Sequence, residues 1–569
     1  MVYGGTASGV ITAVAAAREG LSVALLEPRR NLGGMVSGGL GQTDVGQHPE
    51  LIGGYAREFF ENVSRFYGRE FMRKFNQNIK QRADLGDVGW YFEPHVAEKV
   101  FNDMAKAAGV EVFYNSRLRQ KSGVLKVGTR ITEIRLEDSE RFTGEIFVDA
   151  SYEGDLMAQS GVSYTWGRES IRVYHESLAG VRPETPNHNF ATTGAASLGV
   201  RISAYDMHGK LLLGIYPGPK GSAGEGDRKV QAYNFRICLT NDKAKKLPYP
   251  RPKNYQPLRY ELLLRLLKAF VEKNGRSPHM NELVIVSKLP NDKTDINNRG
   301  PFSTNDLNMS WEYPNANYRR RTEIWQDHVD YVQGFLYFLS TDSRVPHDLQ
   351  DEVNEYGLAK DEFVDNNHWP PQLYIREARR MVGDFVMKQR DIQGEGREKA
   401  DVIGMGAYNS DSHNVQRLAT PDGYVENEGN MEVPVEPYQI PYRVILPKRR
   451  EATNLLVPVC LSASHVAYST LRMEPQYMII GHAAGLAAKM AIQNGSAVQD
   501  VNAKALSAKL WSQGAILESK PATSQPRVKV KPSRSINQYG FGLAWFGYCA
   551  TLKQSSRIKI TRIRCEVAA

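Results

Sequence analysis

The chain has 569 residues, 72 Lys or Arg against 63 Asp or Glu, a formal charge of +9, 41% apolar residues and 49 glycines without a three-residue period. These figures exclude a disordered chain, collagen and a small disulfide-stapled scaffold, and the length predicts about three domains of roughly 100 to 200 residues. The four cysteines, Cys238, Cys460, Cys549 and Cys565, make no CxxC pair or zinc spacing, and no apolar run reaches the roughly 20 residues of a membrane span.

Val2 and Tyr3 read as the end of a strand, followed by Gly4-Gly5-Thr6-Ala7-Ser8-Gly9 and an Ala-rich apolar stretch, Val10 to Arg18, that predicts a helix. Val23 to Leu26 predicts the next strand, closed by Glu27 and Pro28. In this register the segment forms a dinucleotide-binding fingerprint. Glycines let the backbone approach a pyrophosphate, whose charge then sits at the positive helix N-terminus. Glu27 is placed to accept hydrogen bonds from ribose hydroxyls, although Thr6 stands where the bare pattern has its second glycine. The chain opens directly on this motif rather than on a basic, apolar leader, so a cytoplasmic location is the default expectation. The first strand is short, which leaves open that the sequence begins inside a longer gene product.

Three features favour FAD over NAD. Leu32-Gly33-Gly34-Met35 and Gly38-Gly39-Leu40-Gly41 form a second glycine run along which a flavin can lie close to the backbone. Gly144 to Ala150 predicts a strand that enters Asp149-Ala150-Ser151-Tyr152-Glu153-Gly154-Asp155, a turn returning to the nucleotide site. Asn454 to Val459 predicts a buried strand, and from Pro475 a helix rich in small residues follows, Gly481 and Gly485 among them. The N-terminus of such a helix can stabilise negative charge on reduced flavin, while close packing of helix on sheet also explains the small residues.

Between about Gly161 and Lys399 the character changes. Gly214 to Gly226 reads as a Gly/Pro loop without the strand and helix of a second dinucleotide motif, which makes the substrate itself the expected electron donor. Lys293 to Gly300 reads as a polar turn or the lining of a substrate pocket. Ile324 to Leu339 has the apolar spacing of a buried helix, with His328 expected as a core histidine. Arg376, Arg379 and Arg380 recur beside Glu377 and predict a solvated or domain-bridging helix face, with one arginine able to clamp a carboxylate.

Taken together, Gly-Gly-Thr-x-x-Gly at 4 to 9, Leu-Gly-Gly-Met at 32 to 35, Asp149 to Leu156, Tyr374 to Arg380, Asp411-Ser412-His413 and Ser464 to Tyr468 resemble the bacterial FAD-dependent oxidoreductase family with a glutathione-reductase-like FAD domain. The resemblance runs from residue 1 to about residue 500. It implies an α/β protein with a discontinuous, Rossmann-like FAD-binding domain at 1–160 plus 400–500 and an inserted α+β substrate domain at 161–399; residues 501–569 read as a C-terminal extension, whose tail after 520 departs from the family pattern. The expected cofactor contacts are Gly4, Gly5, Thr6, Ala7, Ser8, Gly9, Glu27, Pro28, Gly33, Gly34, Met35, Gly41, Asp149, Ala150, Asp155, Gly481 and Gly485, and no metal is expected.

A flavin dehydrogenase needs a C–H bond held near flavin N5 and a base for the hydroxyl or amine proton. His465 is the first choice of base and His413 the second, with Asp411 able to orient a neighbour; Tyr468 and Arg472 are candidate flavin or substrate contacts. A polar small molecule is the expected substrate, and oxygen or an electron carrier the expected oxidant.

From residue 521 onward nine basic residues face one acid, so the tail holds +8 of the +9 and the preceding 520 residues are nearly neutral. The body carries no nucleic-acid signature. Two rival readings stay open: a flavoprotein modifying tRNA through this tail, and a flavin-binding protein whose short first strand impairs catalysis.

Overall fold

The structure, a computed structural model, describes residues 1–80, 82–394 and 397–519. The basic tail and its two cysteines lie outside the described residues. The opening segment folds as β1 (Val2–Tyr3), α1 (Ala7–Arg18) and β2 (Ala24–Leu26), with β1 and β2 parallel and Val2 opposite Leu25. α1 starts before the predicted Val10 because Thr6 caps it, accepting from the Gly9 amide at 3.2 Å. β3 (Glu111–Phe113), Phe147–Asp149 and Leu455–Leu456 complete a five-stranded sheet, all pairs parallel, in the order Leu455–Leu456, Phe147–Asp149, β1, β2, β3. Such short strands hold because the layer is buried: α1 has no exposed residue from Ala7 to Ala16 and packs on the helix Glu474–Asn494. The C-terminal edge of this Rossmann-like sheet carries Gly4, Glu27 and the Asp149–Asp155 turn, where open α/β sheets bind ligands.

A second, antiparallel sheet runs Lys246–Leu247, Gly357–Ala359, Ile237–Thr240, Lys293–Asn298, Val284–Lys288. Residues 293–298 are therefore a strand beside the sheet centre rather than a turn. Their polar side chains are buried and find partners in other elements. Asp295 takes a two-point ion pair from Arg236, and Lys293 Nζ lies 2.8 Å from Glu93, 2.9 Å from Asp361 and 2.6 Å from Glu362. Glu93 directly precedes the helix Pro94–Ala107, so this cluster ties the first 110 residues to the second sheet.

The helix Tyr318–Thr341 contains the predicted 324–339 stretch. His328 is fully buried, bonded through Nδ1 to Ile324 O at 2.7 Å, and burial lowers its pKa to about 4, as befits a core histidine. Residues 374–380 correct the expected solvated helix. The segment is extended, Arg380–Met381 pairs with Tyr164–Thr165, and Arg376, Arg379 and Arg380 are all buried. Gly214 to Gly226 is a loop, as expected. Residues 1–519 make one compact unit, and among the described residues no helix is long and apolar enough to cross a membrane.

Candidate cofactor cavity and buried polar cluster

The glycine turn is shaped by close backbone approach. Gly4 has φ +98°, and a Cβ there would lie 2.6 Å from Ser151 N; a Cβ on Gly9 would lie 1.9 Å from Gly4 O. Side chains are thereby excluded where the turn meets α1. Beside it opens a cavity of about 450 Å³, lined among others by Gly4, Thr6, Glu27, Pro28, Gly34 and Asp155. Glu27 accepts from the Gly5 amide at 2.6 Å and the Arg29 amide at 2.8 Å, and burial pushes its carboxyl up to about 7.

The other expected cofactor residues divide by position. Gly5, Ala7 and Ser8 shape the turn and first turn of α1, while the Gly33 amide donates to Gly5 O at 2.7 Å. The Met35 amide donates to Tyr152 Oη at 2.9 Å, and Ala150 O accepts from Thr6 Oγ1 at 2.8 Å. Gly41 abuts Phe92 O and Leu289. Asp149 works on its own loop, accepting from Ser151 and from the Met157 amide at 2.7 Å, and Asp155 is ion-paired to Arg321 and Arg379, each at 2.6 Å. Gly481 and Gly485 are not cavity residues. They lie in the contact between α1 and the helix Glu474–Asn494, where a Cβ would come within 2.4 Å of Ser8 O or 2.5 Å of Thr12 O. Close packing, the alternative explanation for the small residues, accounts for both.

The expected catalytic residues lie on His465–Leu471, just after it, and on the strand Ser410–Ser412 and its end. His465, expected as the base, is tied at both ring nitrogens: Nδ1 lies 2.8 Å from Glu377 Oε2 and Nε2 3.2 Å from Ser412 Oγ. It is 4% exposed, and burial, aided by Arg380, lowers its pKa to about 3. Tyr468 is also buried, its Oη bonded to Val459 O and Tyr477 Oη. His413 is more open, with a side chain 14% exposed. Its Nδ1 lies 3.3 Å from Asn305 Nδ2 and its Nε2 3.7 Å from Asp411 Oδ1. Arg472 donates to Asp411 O at 2.8 Å and approaches Asp411 Oδ2 at 3.5 Å.

Around His413 gather Arg472, which the sequence singled out, Arg376, which it offered only as a possible carboxylate clamp, and groups that it did not single out for the site. Burial, then Arg376 and Arg472, hold its pKa well below the usual histidine value, and Arg236 adds to this. Asp44 and Tyr374 feel Arg236 and Arg472 as well. Asp44 sits three residues beyond Gly41, the one sequence signal that could have placed it here. For a metal, Glu93, His95 and Glu362 offer ligand atoms within 4.8 Å of one another, but the Lys293 ammonium already lies on both carboxylates.

The family model described as FAD dependent oxidoreductase matches residues 1–510. The chain belongs to this family. It is an FAD-dependent enzyme, and the residues of this oxidoreductase fit the cofactor: the turn at Gly4, where a side chain is excluded, the Thr6 that caps α1 and the Glu27 carboxyl border one cavity of a size suited to a ligand. Among solved structures, the flavoenzyme is similar to Thermovibrio ammonificans THI4 (19% identity, 30% of this chain and 64% of that one, TM-score 0.19). It is also similar to L-amino acid deaminase from Proteus vulgaris (16%, 37% and 58%, TM-score 0.21) and to a mutant of the halogenase PltM in complex with FAD (14%, 28% and 36%, TM-score 0.19). The chain matches less than two thirds of the length of each of these. No curated protein matches it.

Proposed function

We propose that the enzyme oxidises a polar small molecule, with hydride passing to flavin N5 and a proton to His413, and with oxygen or an electron carrier as the final acceptor. FAD, when bound, supplies the hydride acceptor. The observation that carries this reading is the course of the second glycine run. At Gly34 it borders the cofactor cavity, and further on it packs against the polar cluster: a Cβ on Gly39 would fall 2.0 Å from Arg236 O, and the Gln42 amide donates to Asp295 at 3.0 Å. Cofactor cavity and titratable side chains are thereby joined by one segment.

His413 suits the proton transfer better than His465. Its side chain is more open than that of His465, its ring is held by Asn305, and the Asp411 carboxylate stands near enough to stabilise the imidazolium that forms. His465 instead serves as a neutral strut between Glu377 and Ser412. We read 1–160 with 400–500 as the cofactor-binding domain and 161–399 as the substrate domain, which the parallel strands on either side of the antiparallel sheet support.

Anaerobic single-turnover reduction of the flavin tests the assignment. His413→Ala should slow it roughly 100-fold or more with the flavin still bound. An unchanged rate removes His413 from the role.

A further inference from the structure

Most buried arginines around the polar cluster hold carboxylates: Arg236 has Asp295, Arg379 has Asp155, and Arg380 has Glu169 and Glu377. Arg376 does not. It is 1% exposed, its Nη1 donates to Ala232 O, its Nη2 reaches Asn298 Oδ1 only at 3.4 Å, its Nε has no partner, and its guanidinium carbon lies 4.9 Å from the centre of the Tyr374 ring. Among the described residues no carboxylate lies within ion-pair distance of it. Arg472 is better neutralised: its short contact is to the main-chain oxygen of Asp411, but the Asp411 carboxylate stands at 3.5 Å and, with Asp44, helps to hold its pKa up. The two arginines lie close enough for Arg472 to join burial in lowering the Arg376 pKa, to about 9. A buried guanidinium without an acid is costly unless an anion completes it. Its planar fork matches a carboxylate.

Unpaired acceptors stand beside His413. Asn305 Oδ1 and Asn414 Oδ1 are buried without partners, the first on the side chain that holds His413, the second on its chain neighbour. They suit the hydroxyl or amine hydrogens of a ligand. Solvent reaches the cluster at Asp411 and His413, whose side chains are 23% and 14% exposed.

The geometry points to a substrate that carries a carboxylate beside the hydroxyl or amine to be oxidised, the carboxylate held by Arg376 with Arg472 and the polar hydrogen directed at Asn305 and His413. This rests on the hydride-transfer reading above and names the substrate class for that site.

Acetate, propionate and benzoate, which carry no hydroxyl or amine to oxidise, each paired with its neutral amide, can be titrated into the oxidised, FAD-loaded protein while the flavin absorbance band is followed. The carboxylates should shift the band saturably and bind at least about 10-fold more tightly than the amides. Arg376→Lys keeps the charge but loses the fork, and should weaken carboxylate binding about 100-fold while flavin content and amide binding hold. Should that variant not fold, Arg472→Lys is read in the same way, and the wild-type titration stands by itself. No band shift by any carboxylate, equal affinity for acid and amide, or a preference that survives the substitution overturns the site. Since no turnover is involved, those results leave hydride transfer standing. A flavin that no donor reduces overturns hydride transfer and leaves the anion site standing.

Discussion

A carboxyl group buried without a cation keeps its proton, and Glu474 is such a group. It is 2% exposed, its Oε1 accepts from Tyr152 Oη at 2.7 Å, its Oε2 has no partner, and burial pushes its pKa up to about 8 from 4.5. Between those values the folded chain binds more protons than the unfolded one, so this residue makes stability fall as pH rises, up to its folded pKa and no further. Glu474→Gln removes that dependence. The melting temperature of the flavin-free variant should gain on wild type from about pH 5 to about pH 8 and gain no more above. A difference that stays constant over that range would show that Glu474 ionises as an exposed acid does. Sequence could point to Glu27, because a strand and a glycine turn fix its place, and to His413 as a residue of catalytic type. Glu474 and Arg376 had no such frame, since what distinguishes them is the absence of an opposite charge paired with them in space.

At the scale of elements, local patterns with their own punctuation were legible. The turn at 4–9, α1, the 324–339 helix and the small-residue helix after Pro475 all stand where glycine, capping or 3.6-residue spacing predicts. Two polar segments were not. Lys293–Asn298 lacks the apolar alternation of a strand because its charges are paired from other elements, and Arg376–Arg380 has helix-like charge spacing but lies extended, its arginines turned to partners or to the cluster. The Lys293 cluster gives this a measurable form. Lys293→Met strands Glu93 and Glu362 in the interior, and denaturant unfolding should show a loss of about 3–5 kcal/mol. A loss below about 1 kcal/mol, typical of exposed pairs, would mean the cluster adds little.

For the whole molecule, the fold class was legible because the parallel sheet needs only short runs and one glycine turn, and the family match over 1–510 agrees with it. The polar cluster was not, because Asp44, Arg236, Arg376, His413 and Arg472 come together only once the second sheet docks beside the first glycine-rich segments. That convergence gives the proposed reaction, in which the substrate itself reduces the flavin, its place in the molecule. Anaerobic mixing of the FAD-loaded protein with 2-hydroxy and 2-amino acids, and separately with NADH and NADPH, tests it most directly. At least one of the acids should bleach the flavin band while the nicotinamides leave it unchanged; rapid bleaching by NADH or NADPH with every acid inert would mean that a nicotinamide, not the substrate, reduces the flavin.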